Sequence, residues 1–214
     1  MRGLSGVVGA VYGSLFAINR PADHKGFYCR KFYPALNMQA VVDHRCIFIS
    51  LDIRPGLWSY QNIWNASRLG RTLSKVTPPG TCMLADAGYA VRLWLITPYP
   101  ETFDGAYRDD KTGRFRFIHS SSRIVVERAF GMAKQRFRVL KFCIDMEDIS
   151  KAADIFVASL VLPNILMAVD DKISFDLPVD TADDSEDEDE DDRVSQVIRQ
   201  IAINKRNDIG RNLE

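Results

Sequence analysis

Residues 82–89, CMLADAGY, decide how the rest of the chain is read. The run Cys82 to Ala85 is short and continuously apolar, as a central strand buried on both faces would be. It stops at Asp86, and the nearby Gly88 lets the backbone turn. Open α/β sheets collect functional groups at the carboxyl ends of such strands. An isolated Asp-x-Gly also suits an exposed turn, so the neighbouring segments have to discriminate.

Upstream, residues 6–12 form a first strand, and GAVYGSLFAI (9–18) carries it to Tyr12 and a turn at Gly13. From Leu36 to Val42 the side chains alternate, Asp43-His44 turns the chain, and residues 46–53 resume an apolar, β-branched strand. That hairpin and the opening strand make three neighbouring strands. Arg54-Pro55-Gly56 ends the third, and residues 57–74 read as one helix with Trp58, Ile63, Trp64, Leu69 and Leu73 available for burial. Thr77-Pro78-Pro79-Gly80 breaks it before residue 82.

Downstream, residues 98–118 are rich in Pro, Gly, Asp and Arg and read as an irregular loop. Ser120 to Ser122 offer N-caps, and Arg123 to Lys141 form a long helix. A second helix spans 147–168, kinked or ended by Pro163, which removes an interior hydrogen bond. Strand, hairpin, helix, buried strand, loop, long helix is the order of an α/β, RNase H-like mixed sheet flanked by helices, occupying residues 1–169.

On the long helix, Val126, Phe130, Ala133, Phe137 and Leu140 fall in one apolar stripe facing the sheet. Arg123, Glu127, Gly131, Lys134 and Arg138 form the stripe beside it. Glu127 therefore lies at the edge of the buried face among cations. It has two readings: a surface ion pair with Arg123, contributing a few tenths of a kcal/mol, or a metal ligand while Lys134 and Arg138 meet phosphates.

The zero net charge of the 214 residues hides a segregation. Residues 1–169 hold 22 Lys and Arg against 13 Asp and Glu, a surplus of nine positive charges, whereas residues 170–192 hold 13 acids against one Lys. A basic body suits a polyanionic partner, although ordinary surface charge gives the same count. The block DDSEDEDEDD (183–192) cannot bury enough apolar surface to offset its ordering entropy, so 170–192 is expected to be disordered. Residues 193–214 form a short tail, helical if Val194, Val197, Ile198 and Ile201 make one face. The four cysteines include no C-x-x-C pair, which points to reduced core thiols in an intracellular protein. Gly6, Gly9 and Gly13 interrupt the apolar N-terminus, so it is not expected to be a signal peptide. No apolar run approaches the ~20 residues needed to cross a bilayer, so no membrane association is expected. Oligomeric state is not legible in the sequence.

RIVVERAFGMAK (123–134) matches the R-(3)-E-(6)-K part of the signature Y-(2)-R-(3)-E-(6)-K, with Ser120 in the Tyr position. With LADAGY (84–89), YCRKFYPALNMQAVVDHR (28–45), LDIRPG (51–56) and LITPYP (95–100), the chain resembles the PIF/Harbinger superfamily of DDE transposases and their domesticated nuclease relatives, collinearly over about residues 6–169. The resemblance implies an RNase H-like domain holding two divalent ions, Mg²⁺ or Mn²⁺, on three carboxylates and cutting or joining double-stranded DNA. It also implies a nuclear location and a Myb/SANT-like DNA-binding partner. Asp86 matches the second carboxylate and Glu127 the third, and these are the implied metal ligands. Arg30, Lys31, Arg123, Lys134, Arg136 and Arg138 are the implied DNA contacts.

The chain departs from the pattern at its first carboxylate, where GAVYGS places Tyr12 in the Asp position. A phenol with a reference pKa near ~10 supplies no charge at neutral pH. Tyr60 stands where the family has an acid after the Pro-Gly corner, and Pro163-Asn164 where it often has His-Asn. The family's N-terminal helix-turn-helix region is expected to be missing, since Met1 falls just before the first strand. These departures predict a degenerate nuclease domain with impaired cleavage, or a catalytically silent DNA- or partner-binding one.

Overall fold

A computed structural model describes residues 4–100, 110–169 and 193–211. The acidic segment 170–192, for which disorder is expected, lies outside the described residues, as do 101–109 of the expected loop and the last three residues of the tail. Five strands, β1 (Val7–Ala17), β2 (Ala35–Val42), β3 (Phe48–Pro55), β4 (Cys82–Leu84) and β5 (Leu95–Ile96), form one sheet in the order β3-β2-β1-β4-β5. The first three make an antiparallel meander, while β4 and β5 run parallel to β1. This is the mixed, helix-flanked α/β sheet expected, with β4 in the interior and buried throughout.

β1 does not turn at Gly13. It pairs with β2 from Ala10–Val42 to Ala17–Ala35, so Tyr12 lies in mid-strand opposite Ala40. The glycine serves packing instead: a Cβ there would lie 2.0 Å from the Tyr60 ring. Alternation sends Ala10, Tyr12 and Phe16 to one face and Val11 to the other.

On the second face the expected single helix is two, α1 (Tyr60–Ala66) and α2 (Arg68–Val76). Ser67 separates them in an extended conformation, and its hydroxyl accepts the Gly70 N–H at 2.9 Å as the N-cap of α2. Trp64 and Leu73 pack there with Val11, Val41 and Met83, whereas Trp58 remains 40% exposed rather than buried.

The other face carries α3 (Asp110–Arg136) and α4 (Ile149–Ala168). α3 starts well before Arg123, and Ser120 to Ser122 are interior to it rather than caps. Buried Phe115 and His119 extend the stripe of Val126, Ala129, Phe130 and Ala133 toward the N-terminus, so tertiary burial overrides the weak propensity of three serines. α3 ends at Arg136, and a 3₁₀ turn over Arg138–Leu140 replaces its expected last turn.

α4 begins at the Asp148 cap and runs through Pro163 instead of stopping there. Asn164 accepts the Phe48 N–H and donates to the Phe48 carbonyl, both at 2.9 Å, which hooks the helix beyond the proline to β3. Contrary to the expectation that no apolar run is long enough, α4 could cross a membrane by length and composition, its few polar residues notwithstanding. Ala152, Phe156 and Leu160 bury its inner face in the core, where the Phe156 and Phe16 rings stack at 5.0 Å.

The tail helix α5 (Arg193–Arg211) packs on this body. Ala202 is fully buried, and Arg206 donates to the Pro98 carbonyl at 3.1 Å with its guanidinium 4.4 Å over the Tyr99 ring. Ile201, expected on the apolar face, is 49% exposed, so the buried stripe runs through Ala202, Arg206 and Gly210. Cys29, Cys46 and Cys82 are buried free thiols as expected, whereas Cys143 is exposed.

Candidate active site at the carboxyl end of β4

The β1–β4 register pairs Ala10 with Leu84. Two residues further along parallel strands, on the same face, are Tyr12 and Asp86. The chain leaves the sheet at Asp86 in a turn that the side chain itself closes, because Oδ1 accepts the Gly88 N–H at 2.9 Å. Behind the turn, Tyr89 is almost fully buried and stacks parallel to Tyr60 at 6.0 Å. Its hydroxyl accepts from Gln39 at 2.7 Å, and Gln61 accepts the Ala90 N–H at 2.6 Å. Burial pushes the Tyr89 phenol well above its usual range, and the charge of Asp86 pushes it the same way. Tyr89 is therefore a neutral, fixed support for the Asp86 loop.

From the opposite side, α3 delivers Arg123 and Glu127 one turn apart. The Arg123 guanidinium touches all three candidate positions: it donates to Glu127 Oε1 at 3.0 Å, pairs with Asp86 Oδ2 at 3.6 Å, and lies 5.7 Å from the centre of the Tyr12 ring. The Asp86 distance exceeds a hydrogen bond, so charge alone holds that nitrogen. Tyr12 also packs edge-on against Phe130 at 5.8 Å, which gives its ring an apolar seat. The side chains of Arg123 and Asp86 are only 13% and 12% exposed, where opposite charges interact more strongly than in water.

Tyr12, Asp86 and Glu127 thus converge, with Arg123 as the hub that sequence reasoning assigned only to DNA contact or a surface ion pair. Its position four residues before Glu127 was the available signal. Lys134 lies further along the same side of α3 and donates to Ser14 Oγ at 3.1 Å, with its ammonium 5.6 Å from the Phe16 ring centre. Burial lowers its pKa, and the charges of Lys31 and Lys141 act in the same direction. Arg30 and Lys31 are exposed on the β1–β2 connection, Arg136 is half-buried at the end of α3, and Arg138 is exposed with its guanidinium 5.6 Å from the Phe142 ring centre.

The donor set does not fit a pair of divalent ions. Such ions need several hard, anionic oxygens, but Tyr12 offers a neutral phenol and both carboxylates are held by one guanidinium. Among the described residues, no group of three His, Cys, Asp or Glu side chains could hold a metal ion.

Comparison with known proteins identifies the family. The family model described as DDE superfamily endonuclease matches residues 11–164. "Putative nuclease HARBI1" of Bos taurus and of Homo sapiens are each 29% identical over 171 residues, covering 77% of this chain and 47% of the relative. The protein of the same description from Mus musculus is 28% identical over 169 residues, with the same coverage. The chain therefore spans about half the length of these relatives. No solved structure matches it.

Proposed function

Because the chain belongs to the DDE superfamily endonucleases, whose members generally use divalent metals, we propose that it is a transposase-derived DNA endonuclease or strand-transfer domain whose cleavage is impaired at Tyr12. The observation that carries this reading is the convergence of Tyr12, Asp86 and Glu127 on the Arg123 guanidinium. Asp86 and Glu127 occupy the positions of the second and third carboxylates, and Tyr12 occupies the first. Loss of the first, bridging ligand from a two-metal site costs several orders of magnitude in rate. In this chain Arg123 pairs with both remaining carboxylates and offsets half of their charge, and the Tyr89–Gln39 pair keeps the Asp86 turn in place.

A second reading is a catalytically silent domain that binds double-stranded DNA, acting in the nucleus with a Myb/SANT-like partner. The surplus of nine positive charges in residues 1–169 favours it, together with the exposure of Arg30, Lys31 and Arg138. Cleavage by Tyr12→Asp separates the two readings. Metal-dependent cutting gained by that variant supports an impaired nuclease site, DNA bound but cut by neither chain supports the silent domain, and DNA cut by the wild type with Mn²⁺ contradicts impairment.

A further inference from the structure

A cavity of about 400 Å³ opens on the side of the Asp86 turn away from Arg123 and Glu127, and Tyr60, Asp86 and Gly88 form part of its wall. That volume lies within the ~300–1,000 Å³ range of small-molecule sites. Tyr28, Arg30, Phe32, Asn37, Trp58 and Asp86 are among its lining residues. Three of them are aromatics with much of their surface open to solvent: Tyr28 at 37%, Trp58 at 40% and Phe32 at 88%.

Phe32 is also held at φ 61°, a left-handed conformation that is uncommon for a bulky side chain. A tight turn accounts for the conformation: the Phe32 N–H donates to the Cys29 carbonyl at 2.9 Å and the Cys29 N–H to the Tyr33 carbonyl at 3.0 Å, which leaves the Phe32 ring standing out in solvent. Asn37, only 4% exposed, donates its amide to the Trp58 carbonyl at 2.9 Å, which orients the residue and leaves Oδ1 with no hydrogen-bond partner. That oxygen has no surface open to the cavity, so the bond to Trp58 fixes the cavity wall and offers no contact of its own.

We propose that this cavity takes one unpaired nucleobase of a DNA strand passing Asp86. The proposal rests on the reading of this chain as a DNA-binding domain. Aromatic rings stack on any base, so Tyr28, Phe32 and Trp58 can receive one whatever its identity. Arg30 on the lining and the adjacent exposed Lys31 provide cations for the flanking phosphates. The lining itself combines one cation, Arg30, with one carboxylate, Asp86, so it suits an uncharged base inside, while Arg30 and Lys31 favour a nucleotide's phosphates outside over an apolar peptide.

The test compares the full chain with a Phe32→Ala/Trp58→Ala double variant on two DNAs, a blunt duplex and the same duplex with a single-stranded overhang carrying 2-aminopurine. Both altered side chains are solvent-exposed, and thermal melting verifies that the variant is folded. The wild type is expected to bind the overhang DNA about tenfold tighter than the blunt duplex and to quench the 2-aminopurine, as stacking on an aromatic does. The variant is expected to lose both effects while keeping its blunt-duplex affinity. Equal wild-type affinity for the two DNAs, or a preference that survives in the variant, overturns the base pocket but leaves the DNA-binding reading intact. Failure to bind either DNA overturns both.

Discussion

Tyr12 on β1 and Asp86 just beyond β4 each lie two residues past the last paired positions, Ala10 and Leu84, and both meet the Arg123 guanidinium. A neutral phenol therefore sits where this sheet would bring a second carboxylate beside the first. Arg123 answers the remaining charge by contacting Asp86, Glu127 and the Tyr12 ring at once.

If Arg123 is the compensating cation, Arg123→Gln leaves two carboxylates facing each other without it. Loss of a mostly buried charged partner is expected to lower stability by about 1–3 kcal/mol. Added Mn²⁺ should then raise the melting temperature of the variant more than that of the wild type. An unchanged melting temperature in the variant would show that Arg123 is a surface cation.

His119 gives a pH dependence. It is 2% exposed with Nε2 3.0 Å from the Ile96 carbonyl, and burial lowers its pKa to about 4. The folded state thus binds its proton less readily than the unfolded state, whose reference is near ~6.5. Stability from the neutral ring is full above about pH 6.5 and falls as the pH drops toward 4. Urea denaturation at pH 7 and pH 5 should differ by about 2 kcal/mol on this account. His119→Phe should flatten the difference, and an unchanged difference would place the titration elsewhere.

Phosphate contacts by the exposed cations predict steep salt dependence. Each contact contributes about 0.9 to the slope of log affinity against log salt. Arg30→Ala/Lys31→Ala should lower that slope by about 1–2 units on duplex DNA. A slope that does not change removes these residues from the interface.

The acidic block and α5 are expected to act differently. Excising residues 183–192 should tighten DNA binding at low salt if the polyanion competes for the basic surface, and an unchanged affinity refutes that competition. Arg206→Ala should lower the melting temperature, because it removes the bond to Pro98 and the cation over Tyr99. Deleting everything after residue 169 would mix the two effects, since α5 buries Ala202.

The sequence carried the essentials of the site because its signals are local. A continuous apolar run marks β4 as buried, and the stripe from Val126 to Ala133 fixes which side of α3 bears Glu127. What escaped sequence reading depends on contacts between distant segments. Gly13 looked like a turn because the Tyr60 ring that needs its missing side chain is 47 residues away. Pro163 looked like a helix end because the Asn164 hook to Phe48 spans 116 residues. Ser67 divides α1 from α2 through its own backbone conformation, and α3 starts early because Phe115 and His119 find buried seats. Arg123 was legible as a cation near Glu127, but its reach to Asp86 and Tyr12 required the packing of α3 on β1. The cavity aromatics gave no periodic signal, since they come from irregular segments flanking β2 and β3.

The central claim is that Tyr12 holds the position of a missing catalytic carboxylate. It is tested most directly by measuring Mg²⁺- or Mn²⁺-dependent cleavage of duplex DNA by the wild type and by Tyr12→Asp. The account predicts little or no product from the wild type and metal-dependent cleavage gained by the variant. A folded, DNA-binding Tyr12→Asp chain that cuts no faster than the wild type would contradict it.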